Sequence, residues 1–221
     1  SCLLQPPEFE GILKTICRWA EKYKISSYNE KTGSGLLRHV YLRKAFGTGE
    51  IMVCLVINGD RIYKSEQLTK ALINENNDIK TLLINHNTEN TNVIMGKDNT
   101  VLYGRGYIED NLCGKRFKLS PLSFYQVNHD QAQLLYEEAG RLALENGAKT
   151  VVDLYCGTGT IGLTLADKID SLIGVEIVPD AVKDAEFNAR ANGISNARFI
   201  CSDASLAAEK LREEGIKSDA L

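Results

Sequence analysis

Three carboxylates and a pair of glycines are the residues of this 221-residue chain best placed to do chemistry. In VVDLYCGTGTIG (151–162), Asp153 falls within an apolar run, where a charge is costly unless it has a partner. Gly157 and Gly159 follow it; neither carries a Cβ, so the backbone can turn tightly and come close to a ligand. Glu176 stands at the end of a further apolar strand, 172–175, and Asp203 just past a third short strand, 198–201. A buried strand, a glycine turn and the start of a helix together predict a nucleotide-type pocket at the carboxyl end of a parallel strand.

Two cofactors compete for this turn. Gly157, Gly159 and Gly162 satisfy G-x-G-x-x-G, and Glu176 lies at the right distance for a ribose hydroxyl, which is the dinucleotide fingerprint of an NAD-dependent oxidoreductase. A dinucleotide strand, however, is usually apolar throughout, and here Asp153 comes late in the strand. The pattern Asp-x-x-x-Gly-x-Gly resembles motif I of class I S-adenosylmethionine (SAM) methyltransferases. SAM has no pyrophosphate, so such a loop must offer backbone proximity more than an anion cradle. Glu176 can accept both ribose hydroxyls, and Asp203 can accept from the adenine amino group. Taken singly, Glu176 also reads as a solvated strand end and Asp203 as a turn former. Cys156, between Tyr155 and Gly157, reads as a small packing residue rather than a nucleophile.

The elements that must position these groups can be read on either side. Pro179 opens a helix that Asn192-Gly193 closes. Upstream, Asn128 can cap a helix reaching about residue 146, with Leu134, Leu135, Ala139, Leu142 and Ala143 expected inward. Gln126 alternates with apolar Tyr125 and Val127 and could reach a ligand. The first half predicts a helix after Pro6-Pro7 with Phe9, Ile12, Leu13, Ile16, Cys17 and Ala20 on its core stripe. A hairpin follows over 38–46 and 51–57, then a helix over 65–76 and a strand over 80–85. The segment 96–100 reads as a turn, and 101–108 with 115–119 as a second hairpin. On the first strand His39, Tyr41 and Arg43 share a face that either stacks on bases and pairs with phosphates or is simply solvated. The fold class is therefore α/β: a mixed, largely antiparallel α/β domain over 1–120, followed over 121–221 by the first part of a Rossmann-like parallel-sheet domain.

Composition narrows the setting. No apolar run approaches membrane-spanning length, and the start SCLLQPPEFE lacks signal-peptide design. Six scattered cysteines without a C-x-x-C pair suit reduced thiols in a cytoplasmic protein better than a disulfide framework. The net charge of −3 is unevenly spread: residues 1–120 hold 17 Lys and Arg against 13 Asp and Glu, and the rest hold 9 against 16. A mildly basic half beside an acidic one suits a polyanion lying mainly on the first.

FYQVN (124–128), VVDLYCGTGTIGLTLA (151–166), GVEIVPDAVKDAEFNARANG (174–193) and FICSDA (199–204) together resemble the RNA uracil-C5 methyltransferases, enzymes that make 5-methyluridine. The similarity spans nearly the whole chain and is closest to the 23S rRNA branch, which puts rRNA ahead of tRNA as the partner. The resemblance implies SAM contacts from Gln126, Asp153, Tyr155, Gly157, Gly159, Thr160, Glu176 and Asp203. It also implies that Cys2 matches the fourth cysteine of a [4Fe–4S] site held by the full-length protein only, since one thiolate cannot hold a cluster. The family's cysteine nucleophile and general base lie beyond the fourth strand, where this chain stops at Leu221. No catalytic residue is therefore expected within it. The chain reads as a piece of a longer enzyme, inactive by itself, and a non-catalytic RNA-binding module that keeps the cofactor fold is the remaining alternative.

Overall fold

The structure, a computed structural model, describes residues 5–221 and divides into two compact units: 1–45 with 49–108, and 46–48 with 109–221. The break falls at the first residue of a strand, ahead of the division at residue 120 read from sequence. Cys2 lies outside the described residues. Among those residues no group of three or more His, Cys, Asp or Glu could hold a metal ion. No described helix is long and apolar enough to cross a membrane, and Cys17, Cys54, Cys113, Cys156 and Cys201 are all free.

The first unit is a four-stranded sheet packed under two helices. Helix α1 (Glu8–Lys22) and α2 (Ser65–Glu75) cover strands β1 (Leu37–Lys44), β2 (Ile51–Ile57), β3 (Ile79–His86) and β4 (Asp98–Gly104), in the order β1-β2-β3-β4. The outer pairs are antiparallel and β2–β3 is parallel, as the crossover through α2 requires. Phe9, Ile12, Ile16 and Trp19 form the buried stripe of α1 against Val53, Leu55, Leu68 and Leu82. Cys17, expected in that stripe, is exposed, because Trp19 one turn on from Thr15 and Ile16 carries the contact instead. His39, Tyr41 and Arg43 are half-buried. They pair in register with Val56, Cys54 and Met52, which are fully buried, so this side of the sheet is not an open solvated face.

The predicted second hairpin is corrected by its glycines. Gly104 (φ +78°) and Gly106 (φ +80°) break the run 101–108, and a Cβ at Gly104 would lie 1.8 Å from the Lys80 carbonyl. Residues before the break therefore join β3 through β4, which begins at Asp98 inside the segment read as a turn. Residues after it form β5 (Ile108–Leu112), whose hairpin partner is β6 (Lys115–Leu119).

In the second unit, β7 (Thr150–Asp153), β8 (Ser171–Glu176) and β9 (Ala197–Cys201) form a parallel sheet in that order. Between them run α4 (Thr160–Leu165), a single 3₁₀ turn at Ala166–Lys168, and α5 (Pro179–Ala191). Helix α6 (Ala204–Glu213) closes one face, with Leu211 and Ile216 packed on Val152, Ile173 and Ile200. After α6 the chain returns to the free edge of β7: Ala220 bridges Val151 in parallel, and the Val152 N–H donates to the Ala220 carbonyl at 3.0 Å. The spatial order is thus 220, β7, β8, β9, so the direction of winding reverses at β7.

Helix α3 (His129–Glu145) departs from its predicted face. Ala132, Tyr136 and Gly140 are its buried residues, whereas Leu134, Leu135 and Leu142 are exposed. At Gly140 the partner helix comes too close for a larger side chain: a Cβ there would sit 2.3 Å from Leu165 Cδ2. Asn128 caps this helix as expected, accepting from the Gln131 N–H at 3.3 Å.

Candidate functional site

The turn after β7 sits where the sheet reverses its winding, outside the carboxyl ends of parallel strands, which is where open α/β sheets take ligands. Gly157 (φ +54°) and Gly159 (φ +80°) both adopt the left-handed conformation. A Cβ at Gly159 would press on Leu163 Cδ1 at 3.0 Å and Ala185 Cβ at 3.3 Å, whereas one at Gly157 would meet nothing within 4 Å. One glycine serves internal packing and the other borders open space.

Five of the predicted residues, Asp153, Gly157, Gly159, Thr160 and Glu176, converge here. Glu176, the last residue of β8, accepts from the Gly157 N–H at 3.0 Å through Oε2 and from the Val178 N–H at 2.9 Å through Oε1. Asp153 ends β7; its Oδ1 accepts weakly from the Tyr155 N–H at 3.4 Å, and its Oδ2 is buried without a hydrogen-bond partner. Burial, reinforced by the nearby Glu176 charge, holds the Asp153 carboxyl above the usual aspartate value despite help from backbone N–H groups. Thr160 opens α4, with its Oγ1 3.4 Å from the Tyr136 hydroxyl. The Cys156 thiol is buried and pushed well up by desolvation and by the Asp153 and Glu176 charges, so it is no nucleophile.

The remaining predicted residues flank this group. Tyr155 is 83% exposed beside the turn. Asp203 stands two residues beyond Cys201, the register partner of Glu176, and so at the same end of the sheet. Its Oδ1 caps α6 by accepting from the Ser205 N–H at 2.8 Å, which holds its carboxyl below the usual range. Gln126 is half-buried in the irregular stretch between β6 and α3, next to Tyr125, whose buried hydroxyl faces the Asp110 carboxylate. Two residues escaped the sequence reading: Ile177, 65% exposed after β8, and Leu206, 63% exposed in the first turn of α6. Both leave apolar surface uncovered at the strand ends. The apolar pair Ile177-Val178 directly after a strand-end carboxylate was the available signal for Ile177. A separate cavity of about 670 Å³ runs between α3 and α4, lined by Cys113, Tyr136, Gly140, Arg141, Thr164 and Lys168; none of the three carboxylates borders it.

Acceptors therefore dominate: Asp153, Glu176 and Asp203 offer carboxylate oxygens, and the helix after the turn has only six residues. A pyrophosphate would meet negative charge without a long helix dipole to offset it. A ligand rich in donors, with ribose hydroxyls, an ammonium and an adenine amino group, suits this donor–acceptor balance. The unpartnered Asp153 oxygen and the open space at Gly157 fit SAM in this sense.

Comparison with known proteins agrees. Residues 145–218 match the methyltransferase-domain family. The chain is 42% identical over 219 residues to an uncharacterised RNA methyltransferase of Caldanaerobacter subterraneus, covering 99% of this chain and 48% of that protein. A Staphylococcus epidermidis protein described in the same words is 41% identical over 219 residues, again covering 99% and 48%. The chain thus spans about half the length of the curated relatives it matches. Among solved structures, the Pyrococcus abyssi tRNA (uracil-54, C5)-methyltransferase in complex with S-adenosyl-L-homocysteine superposes with a TM-score of 0.74 at 24% identity. That match covers 86% of this chain and 45% of the other. The fold is that of the Rossmann-like SAM methyltransferases.

Proposed function

We propose that this chain is the SAM-binding and central part of an enzyme that methylates C5 of a uridine in RNA, with rRNA as the substrate. The observation that carries the reading is the meeting of Asp153, Glu176 and the Gly157 turn at the point where the sheet reverses. Glu176 would take the ribose hydroxyls, Asp203 the adenine amino group, and Asp153 would organise the turn at the methionine end. Gly157, Gly159 and Thr160 would line the cofactor, with Tyr155 and Gln126 beside it. SAM, when bound, supplies an electrophilic methyl group. The chain's own residues bind and orient it and keep its donors paired.

FYQVN (124–128) leading into α3 supports the uridine-C5 reading, and relatives described as RNA methyltransferases support RNA as the substrate. The reading assigns no catalytic nucleophile or base to these residues, so the chain is proposed to be inactive alone. The positive balance of residues 1–120 supports an RNA-facing role for that half. The test is to map 5-methyluridine in RNA from cells lacking the gene. Loss of one or more sites in rRNA, restored by the intact gene and not by a Glu176→Ala copy, is the expected result; an unchanged 5-methyluridine map contradicts it.

A further inference from the structure

Asp184, Asn188 and Asn192 recur at every fourth residue of α5 and its C-cap, so they share one face. Each takes hold of β6. Asn192 Oδ1 accepts from the Arg116 N–H at 2.8 Å, and its Nδ2 donates to the Arg116 carbonyl at 2.6 Å. Asn188 Oδ1 accepts from the Lys118 N–H at 2.7 Å, and Asp184 pairs with Lys118 Nζ at 2.8 Å. The two amides do for the edge of β6 what a neighbouring strand would do, by satisfying its backbone groups.

Asn188 does one thing more. Its Nδ2 donates to the carbonyl of Thr158, 3.0 Å away, in the peptide between Gly157 and Gly159. Asn188 and Thr158 are both buried, and an N–H on one side with a carbonyl on the other permits a single orientation of the amide. The turn needs such an anchor: two left-handed glycines give it several accessible conformations, and an unpaired buried carbonyl would be costly.

We propose that Asn188 is a positioning residue for the cofactor turn, one amide fixing both the β5–β6 hairpin and the peptide that faces the ligand. The proposal rests on the SAM reading of that turn. Asn192 is its natural control, because it makes the same kind of bond to β6 and none to the turn.

The test is calorimetric titration of the protein with S-adenosylhomocysteine, alongside its melting temperature. Asn188→Ala is expected to weaken binding by about tenfold or more, and Asn192→Ala by no more than about twofold, although both lower Tm. Asn188→Asp keeps the acceptor for Lys118 and loses the donor for Thr158, so it is expected to weaken binding as Asn188→Ala does. Should Asn188→Ala fail to fold, the milder Asn188→Ser is read in its place, with hydrogen exchange at Gly157 and Gly159 faster than in Asn192→Ala. Equal effects of the Asn188 and Asn192 variants on affinity, or a Tm loss at Asn188 with affinity intact, would overturn the proposal. An unaltered protein that fails to bind S-adenosylhomocysteine removes the SAM reading itself, and this proposal with it.

Discussion

The carboxylate of Glu176, at the end of β8, accepts the N–H of Gly157 in the turn after β7 at 3.0 Å. A residue of one strand thus sets the shape of the loop following its neighbour. A carboxylate has about four lone-pair sites, so Glu176 can keep this bond and that of Val178 while accepting ribose hydroxyls. Glu176→Ala is expected to weaken SAM binding by about 1.5–3 kcal/mol, the scale of hydrogen bonds to charged groups, as measured by calorimetry. Affinity unchanged in that variant would remove Glu176 from the site.

Asp153 gives a prediction of opposite sign for stability. Its folded-state carboxyl lies above the unfolded value, so folding favours the protonated form and the ionised form costs stability at neutral pH. Asp153→Asn is therefore expected to raise Tm at neutral pH. The gain should shrink as the pH falls through the raised value of Asp153 and vanish below the ordinary aspartate range. The same change should weaken SAM binding, since the unpartnered oxygen is then gone. Melting curves across pH decide it: a variant less stable than the parent at neutral pH contradicts the account.

The two glycines of the turn separate packing from binding. Gly159→Ala adds a methyl group against Leu163 and Ala185 as well as left-handed strain, and is expected to lose more than the ~1–2 kcal/mol of strain alone. Gly157→Ala carries the strain without the contact. Its methyl would project into the space assigned to the cofactor, so its affinity loss should exceed that of Gly159→Ala while its stability loss is smaller. Denaturant unfolding paired with calorimetry on both variants checks the order.

Ile177 and Leu206 are exposed, so truncation should cost little folding stability. If they cover the adenine ring, Ile177→Ala and Leu206→Ala each weaken SAM binding by about 1 kcal/mol through lost apolar contact. A fall in Tm with affinity preserved would make them packing residues.

The cofactor half of the fold was legible in the sequence because its signals are local. Asp153, the glycines, Glu176 and Pro179 each mark a strand end, a turn or a helix start, and the structure places them so. What the sequence hid depends on partners far along the chain. Hydrophobicity pointed to Leu134, Leu135 and Leu142 as the inward face of α3, but the buried residues are Ala132, Tyr136 and Gly140, with Gly140 set by its close approach to Leu165. The run 101–108 looked continuous, yet Gly104 packs against the Lys80 carbonyl and splits it between two sheets. Asn188 carried no local mark at all, because its meaning comes from Lys118 and Thr158, 70 and 30 residues away.

The most direct test of the central claim is a thermal-shift and calorimetric comparison of S-adenosylhomocysteine with NADH on the unaltered protein and on Glu176→Ala. The account predicts that S-adenosylhomocysteine raises Tm and binds at one site, that Glu176→Ala loses most of this affinity, and that NADH does neither. Stabilisation by NADH with none by S-adenosylhomocysteine would contradict it.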